Sequence, residues 1–158
     1  MHGIAVLDAG GQYCHLLARR VREAGVQSHV LPIDTKAELL SGISGIIISG
    51  GPRSVTEADS PRVDPSILAM GVPILGICYG HQLLAASMPG GVVKPSYSRE
   101  YGLATLRLKT GLKGVDLFAG IPESSRVWVS HGDSVEKLPD GFEAIGATGD
   151  CAVAAMGH

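Results

Sequence analysis

Short runs of residues with no polar member restrict the fold of this 158-residue chain more than any other feature. Residues 4–7, 46–48 and 73–77 form such runs. Runs of this kind are typical of strands that are covered on both faces of a parallel sheet. After the first run, apolar residues 13, 16, 17, 21 and 24 follow the spacing of an amphipathic helix that ends at Gly25. This alternation predicts a parallel sheet with helices on both faces.

Further segments extend the pattern. We expect a strand within residues 28–33 and short helical segments at 36–40 and 66–70. In the second half, residues 103–108 and 126–129 partly alternate in polarity, as antiparallel strands do, so we expect a mixed sheet. Residues 142–147 and 151–156 flank Thr148-Gly149-Asp150 and predict a hairpin. The predicted fold class is α/β, with a mostly parallel, doubly wound, flavodoxin-like sheet and an added antiparallel portion in the second half.

Composition excludes several classes of protein. Apolar residues make up 45% of the chain and charged residues 18%, which favours a compact core over disorder. The net charge of −2 argues against nucleic acid or an anionic membrane as a partner. Three widely spaced cysteines fit neither a disulfide framework nor a zinc site, and no apolar run is long enough for a signal peptide or a membrane span. We therefore expect a cytoplasmic protein.

Residues 76–82 read Gly-Ile-Cys-Tyr-Gly-His-Gln and place Cys78 between a predicted buried strand and a predicted helix. Glycines two residues before and two after a nucleophile are typical of a nucleophile elbow. The elbow strains the backbone and places the sulfur at a helix N-terminus, where N–H groups favour the thiolate. The pattern predicts that Cys78 is an activated nucleophile. It is also compatible with a small buried cysteine between glycines that end a strand.

Two other segments are candidates for substrate contacts. Gly50 and Gly51 follow the predicted strand 46–48, where glycine N–H groups can stabilise an oxyanion, although a Gly-Gly-Pro sequence is also an ordinary turn. Four small or polar residues follow the predicted strand 126–129. They are too close in sequence to converge on one atom as a catalytic triad, so we interpret them as a binding loop: Ser130, His131, Gly132 and Asp133.

Together these motifs resemble those of the class I, triad-type glutamine amidotransferases. Segment 76–82 is similar to the nucleophile motif of that family. Four further segments and the arginines of residues 19–22 narrow the resemblance to the GMP synthetase branch of the family. These segments are 8–13, 49–55, 99–102 and 130–133. The motifs occur in the family's order over nearly the whole chain, and no single one of them would carry the resemblance.

The resemblance implies that the domain hydrolyses glutamine to glutamate and ammonia. The ammonia would pass to an ATP-dependent synthetase domain or subunit that aminates XMP to GMP. Cys78 would form a glutamyl thioester, and the backbone N–H groups of Gly51 and Tyr79 would form the oxyanion hole. Residues 99–102 would lie near the glutamine entrance. The glutamine itself would be bound by Gly50, Gln82, Ser130, His131, Gly132 and Asp133.

The sequence departs from the family in one respect. Family members complete the triad with a His-Pro-Glu motif, and no His-x-Glu follows Cys78 in these residues. We expect His81 and His158, the two histidines that could be proposed as substitutes, to be structural. The sequence therefore predicts one amidotransferase domain over 1–158, incomplete at its C-terminal end, lacking the synthetase domain and inactive alone.

Other interpretations remain open. The chain could be an inactive amidotransferase-like domain that binds glutamine or regulates a synthetase. It could also be the glutaminase of an anthranilate, aminodeoxychorismate or carbamoyl-phosphate synthase, or a cysteine hydrolase of similar fold. No G-x-x-x-x-G-K-[ST] pattern occurs, so we expect ATP and magnesium only in the synthetase domain, and no cofactor or metal site here.

Overall fold

The computed structural model describes residues 1–109 and 116–158, without the side chains of residues 97–100 and 116. The chain divides into two compact units, Met1–Ser87 and Met88–His158, which we call the N-terminal and C-terminal units. Each unit contains its own four-stranded sheet. That residues 1–158 act as a single domain stays a prediction.

The sheet of the N-terminal unit is parallel throughout. Its strand order is β2-β1-β3-β4, and the strands are β1 Ile4–Asp8, β2 Ser28–Pro32, β3 Gly45–Ile48 and β4 Ile74–Gly76. The central strands β1 and β3 pair in register, with Val6 opposite Ile47. Residues Ala5, Val6 and Leu7 are fully buried, as expected for a strand covered on both faces. The predicted parallel sheet is confirmed.

Two α-helices pack on these strands, α1 Cys14–Glu23 and α2 Tyr79–Ser87. Cys14 and Ala18 of α1 form a buried cluster with Val6. The helix ends where predicted, because Gly25 adopts a left-handed φ of 80° and its N–H donates to the carbonyl of Arg22. The short predicted helical segments are 3-10 helices at Ala37–Leu40 and Pro65–Ala69, and another lies at Asp116–Phe118.

The C-terminal unit is antiparallel. Its strand order is β6-β5-β7-β8, and the strands are β5 Val92–Leu108, β6 Ser124–Lys137, β7 Glu143–Ala147 and β8 Ala155–Gly157. The antiparallel portion is confirmed, but it forms a second sheet where we expected a single mixed one. Long β5 and β6 pair with each other along most of their length, so neither strand needs the parallel sheet as a partner.

The predicted hairpin forms with a shorter second strand. Strand β7 pairs with β8, and Ala144 lies opposite Met156. The prediction that the second strand begins at residue 151 is wrong, because β8 starts at Ala155. The backbone N–H of Thr148 donates to the carbonyl of Cys151 over 2.9 Å, and the N–H of Cys151 donates to Thr148 Oγ1 over 3.1 Å. These bonds hold Cys151 in the turn.

In the part of the chain that the structure describes, no helix is both long enough and apolar enough to cross a membrane.

Candidate active site

Cys78 lies between the end of β4 and the start of α2 and is exposed. Its φ is 53°, which makes it the only non-glycine residue with positive φ in the described parts of the chain. A non-glycine residue in the left-handed region stores about 1–3 kcal/mol of strain, which persists only where the surroundings impose it. The nucleophile elbow predicted from the sequence is therefore present in the backbone.

The two glycines of the elbow are required by close backbone contacts. A Cβ atom at Gly76 would lie 2.4 Å from the carbonyl oxygen of Gly80. A Cβ atom at Gly80 would lie 2.3 Å from the carbonyl oxygen of Ile48. The same Ile48 oxygen accepts the N–H of Ile77 over 3.0 Å, so β3 and the elbow are tied together. No larger residue fits at either glycine.

Gly50 and Gly51 continue β3 toward the nucleophile. A Cβ atom at Gly50 would lie 3.4 Å from Cβ of Cys78, which is ordinary van der Waals contact. A Cβ atom at Gly51 would lie 2.4 Å from the carbonyl oxygen of Ala9. The structure therefore brings the glycine pair and Cys78 together at the carboxyl edge of the parallel sheet. This is the edge at which open α/β sheets bind ligands.

Ser49 is a residue of this edge to which sequence reasoning assigned no role. Its side chain is only 1% exposed. Its Oγ accepts the backbone N–H of Ala9 over 3.0 Å and donates to the carbonyl oxygen of Gly50 over 2.9 Å. A polar residue directly after a buried apolar run was the available signal, since such a side chain needs hydrogen-bond partners.

The cysteine at the start of α1 has the opposite environment from Cys78. Burial raises the pKa of the Cys14 thiol above its ordinary value, and the nearby Asp8 carboxylate raises that pKa further. Cys14 is therefore held as a neutral thiol. The structure describes all three cysteines and places none of them in a disulfide, and Cys14 and Cys151 are buried.

Tyr79 and Gln82 lie on the first turn of α2. Tyr79 begins the helix, so its N–H is one of those without an acceptor inside the helix. Its ring is 1% exposed, and its hydroxyl donates to the carbonyl of Pro61. Gln82 is buried, and its backbone N–H donates to the carbonyl of Cys78 over 3.1 Å. Both residues are thus fixed next to the nucleophile in the N-terminal unit.

The segment at residues 130–133 belongs to the C-terminal unit. The interpretation of this segment as a loop is wrong, because it lies inside strand β6. The strand continues because β5 supplies partners on both sides of a register shift, with Glu100 opposite His131 and Pro95 opposite Asp133. Nδ1 of His131 lies 3.1 Å from the carbonyl oxygen of Asp133.

The predicted glutamine entrance at residues 99–102 is only partly described. The side chains of residues 97–100 lie outside the described ones, and Tyr101 is exposed on β5. His158 directly follows β8, and its ring centroid lies 5.1 Å from that of Phe142 at an angle of 52°. This ring contact supports a structural role for His158. His81 lies in the first turn of α2.

Comparisons with known proteins identify the family. Residues 5–158 match the family described as glutamine amidotransferase class-I. The chain is 51% identical over 156 residues to the glutamine-hydrolyzing GMP synthase of Symbiobacterium thermophilum, covering 98% of this chain and 30% of that protein. It is 50% identical to the corresponding enzyme of Caldicellulosiruptor saccharolyticus, with the same coverage. The chain thus spans about 30% of the length of these curated relatives.

Solved structures agree with this assignment. A protein from Thermoplasma acidophilum, described as a candidate subunit of GMP synthase, superposes with a TM-score of 0.85 and 30% identity, covering 100% of this chain and 78% of that one. A glutamine amidotransferase from Thermotoga maritima, at 20% identity and a TM-score of 0.77, shows the same fold. The chain therefore belongs to the class-I glutamine amidotransferase family, and within it to the amidotransferase domains of GMP synthases.

Proposed function

We propose that Cys78 is the nucleophile with which this chain, when assembled with an ATP-dependent synthetase, hydrolyses glutamine and supplies the ammonia that converts XMP to GMP. The backbone of Cys78 carries the proposal. An exposed cysteine with a φ of 53° directly before α2 is strained, and such strain is typical of functional sites. It presents the sulfur to a ligand at the helix N-terminus, where the thiolate is favoured.

The chemistry begins when the Cys78 thiolate attacks the side-chain carbonyl carbon of glutamine. A carbon–sulfur bond forms, and the carbonyl π electrons move to the oxygen, where the N–H groups of Gly51 and Tyr79 stabilise the negative charge. The tetrahedral intermediate collapses as the nitrogen takes a proton from water, so that the carbon–nitrogen bond breaks, ammonia leaves and a thioester remains on Cys78. The hydroxide left by that water attacks the thioester carbon, the carbon–sulfur bond breaks, and glutamate and the thiolate are released. No residue of this chain is assigned as the general base.

Two residues next to Cys78 are the proposed contacts to glutamine in the N-terminal unit. A Cβ atom at Gly50 would lie 3.4 Å from Cβ of Cys78, and Gln82 is buried one helical turn beyond Cys78, which supports their roles in binding the substrate. Binding of glutamine by residues 130–133, which lie in β6 of the C-terminal unit, stays a prediction from the resemblance: Ser130, His131, Gly132 and Asp133.

The partner of the domain is an ATP-dependent synthetase, either fused or separate, in the cytoplasm. The support is that relatives named as GMP synthases are about three times as long, since the chain spans 30% of them. ATP and magnesium would bind in the synthetase. The net charge of −2 agrees with a small-molecule substrate and with no nucleic-acid partner.

A glutamine-analogue chloroketone tests the proposal. We expect it to alkylate Cys78, and we expect free glutamine to prevent the reaction, as located by mass spectrometry of peptides. The buried Cys14 and Cys151 are the internal controls and should stay unmodified. Alkylation that glutamine does not prevent, or alkylation of all three cysteines alike, would contradict a glutamine pocket at the elbow.

Activity gives a second test. The enzyme assembled with its synthetase should release glutamate from glutamine, and Cys78→Ala should abolish this release while the synthetase still uses free ammonia. We expect the 158 residues alone to release none. Glutaminase activity that survives Cys78→Ala would show that another residue is the nucleophile.

A further inference from the structure

We propose that Ser49 is a positioning residue for the oxyanion hole. Its hydroxyl fixes the plane of the peptide between Gly50 and Gly51, so that the N–H of Gly51 points toward the substrate oxygen. The inference rests on the proposed function, in which that N–H is one of the two donors. The inference adds the side chain that sets the orientation of this donor.

Hydrogen bonds of the Ser49 hydroxyl connect it to the loop after β1 and to Gly50. The N–H of Ala9 donates to Oγ over 3.0 Å, so the hydroxyl oxygen acts as acceptor there. The hydroxyl also donates to the carbonyl oxygen of Gly50, 2.9 Å away, and it has a further side-chain hydrogen bond with Cys14. Ser49 is only 1% exposed, so water does not compete for either bond. The side chain therefore links β1 to the backbone just beyond β3 by two defined bonds.

The carbonyl of Gly50 and the N–H of Gly51 belong to the same peptide. In a planar trans peptide these two groups point in opposite directions, so a bond that holds the carbonyl also sets the direction of the N–H. Glycines on both sides leave this peptide free to rotate as a unit, because neither residue carries a Cβ atom to restrict it. An external bond is needed to fix it, and Ser49 supplies that bond.

Close contacts show which way the peptide faces. A Cβ atom at Gly11 would lie 2.2 Å from the carbonyl oxygen of Gly50, so this oxygen is directed at the loop after β1. A Cβ atom added at Gly50 would lie 3.4 Å from Cβ of Cys78. The N–H of Gly51, opposite the carbonyl, is consequently turned away from that loop, which agrees with the proposed role of this N–H as an oxyanion donor.

The expected effect is on catalysis rather than on binding. Removing an oxyanion donor typically lowers kcat by about 10²–10³-fold, and removing the group that aims it should lower kcat by about 10- to 100-fold. An interaction made only in the transition state leaves KM nearly unchanged, so we expect KM for glutamine to change by less than about twofold.

The experiment compares Ser49→Ala with Ser49→Thr and Ser28→Ala in the enzyme assembled with its synthetase. Ser28 is a matched control, because its Oγ also accepts one bond, from Arg22, and donates one to a backbone carbonyl, that of Ala18. It lies at the amino end of β2. Steady-state glutaminase kinetics give kcat and KM. The rate at which iodoacetamide alkylates Cys78 reports on the elbow itself, because that reaction makes no oxyanion.

The expected result is a fall in kcat for Ser49→Ala alone, with KM and the alkylation rate unchanged and with activity largely retained in Ser49→Thr. An unchanged kcat in Ser49→Ala, beside an active wild type, overturns the inference and leaves the proposed function intact. A changed alkylation rate, or a KM that rises by the same factor as kcat falls, would show that Ser49 has only a structural role. Either result also overturns the inference. A wild type that neither hydrolyses glutamine nor reacts with the chloroketone overturns the proposed function and this inference together.

Discussion

The two units bury their strands in different ways. In β1 of the N-terminal unit, residues Ala5, Val6 and Leu7 are all 0% exposed, so both faces of the strand are covered. In the C-terminal unit, β6 alternates, and Trp128 on its open face is 82% exposed. A strand covered on both faces cannot shift or twist without disturbing two layers of packing. The first unit is therefore suited to holding backbone atoms in fixed positions.

The glycines show the same difference. In the N-terminal unit, Cβ atoms at Gly51, Gly76 and Gly80 would come within 2.3–2.4 Å of backbone carbonyl oxygens. In the C-terminal unit, a Cβ atom at Gly146 would meet only the side chains of neighbouring residues, at 3.1 Å or more. The proposed nucleophile Cys78 and the proposed oxyanion donors thus lie among close contacts between backbone atoms, whereas Gly146 in the other unit has side-chain neighbours that can move.

Core truncation gives the largest expected difference between the units. We expect Leu7→Ala to lower the free energy of unfolding by about 2–5 kcal/mol, because it leaves a cavity in the fully buried strand β1. Leu103→Ala on β5, where the side chain is 56% exposed, should change it by less than about 0.5 kcal/mol. Urea unfolding followed by circular dichroism measures both. Equal losses would show that the open face of β5 and β6 is covered in solution.

Close backbone contact at a glycine gives the second largest expected effect on stability. Gly80→Ala should destabilise the protein by about 3 kcal/mol, because the new methyl group would lie 2.3 Å from the oxygen of Ile48 in a buried strand. Helix propensity alone would favour alanine here by about 1 kcal/mol, so a net loss isolates the clash. Gly146→Ala is the matched change in the other unit and should lose about 1 kcal/mol, since leucine ends can move. The reverse order in urea unfolding would contradict the comparison.

Much of the N-terminal unit could be predicted because its signals are local. Apolar runs mark strands covered on both faces, the helical period marks α1, and Gly25 marks its end. The elbow was predictable for the same reason, since its glycines lie two residues on either side of Cys78. Each of these features depends on neighbours within a few positions in the sequence.

What the sequence did not reveal depends on distant partners. The role of Ser49 requires Ala9, which is forty positions away and lies beside it only after β1 and β3 pair. Residues 130–133 are small and polar, which favours a loop, but β5 supplies strand partners on both sides of the register shift. Tertiary pairing overrides local propensity there. Thr148 similarly holds Cys151 in the turn and delays the start of β8.

Backbone strain should make glycine the more stable replacement at Cys78, whereas alanine should be the more stable replacement at Cys151. At Cys78, with a φ of 53°, Cys78→Gly should be about 0.5 kcal/mol more stable than Cys78→Ala, because glycine relieves the left-handed strain. At Cys151 in the other unit, which has no positive φ, Cys151→Gly should be about 0.5–1 kcal/mol less stable than Cys151→Ala. Thermal unfolding at one pH measures both pairs. Glycine being worse at both positions would show that the elbow stores no strain.

The smallest effect concerns a carboxylate in the N-terminal unit. The N–H of Ser66 and then that of Ala37 hold the pKa of Asp64 below its ordinary value of 3.8 by donating to its carboxylate at the start of the 3-10 helix Pro65–Ala69. A lowered folded pKa means that the charged form stabilises the fold above the unfolded pKa, and this contribution is lost as the pH falls through the folded pKa. Asp64→Asn should therefore be slightly less stable than the wild type at pH 7, and the gap should close in acid. Urea unfolding between pH 7 and pH 2 measures it, with Glu143→Gln, at an exposed position of β7 in the C-terminal unit, as the control. A gap that persists unchanged into acid would show that the carboxylate's charge contributes nothing at this cap, and that the N-terminal unit is fixed by its neutral backbone contacts alone.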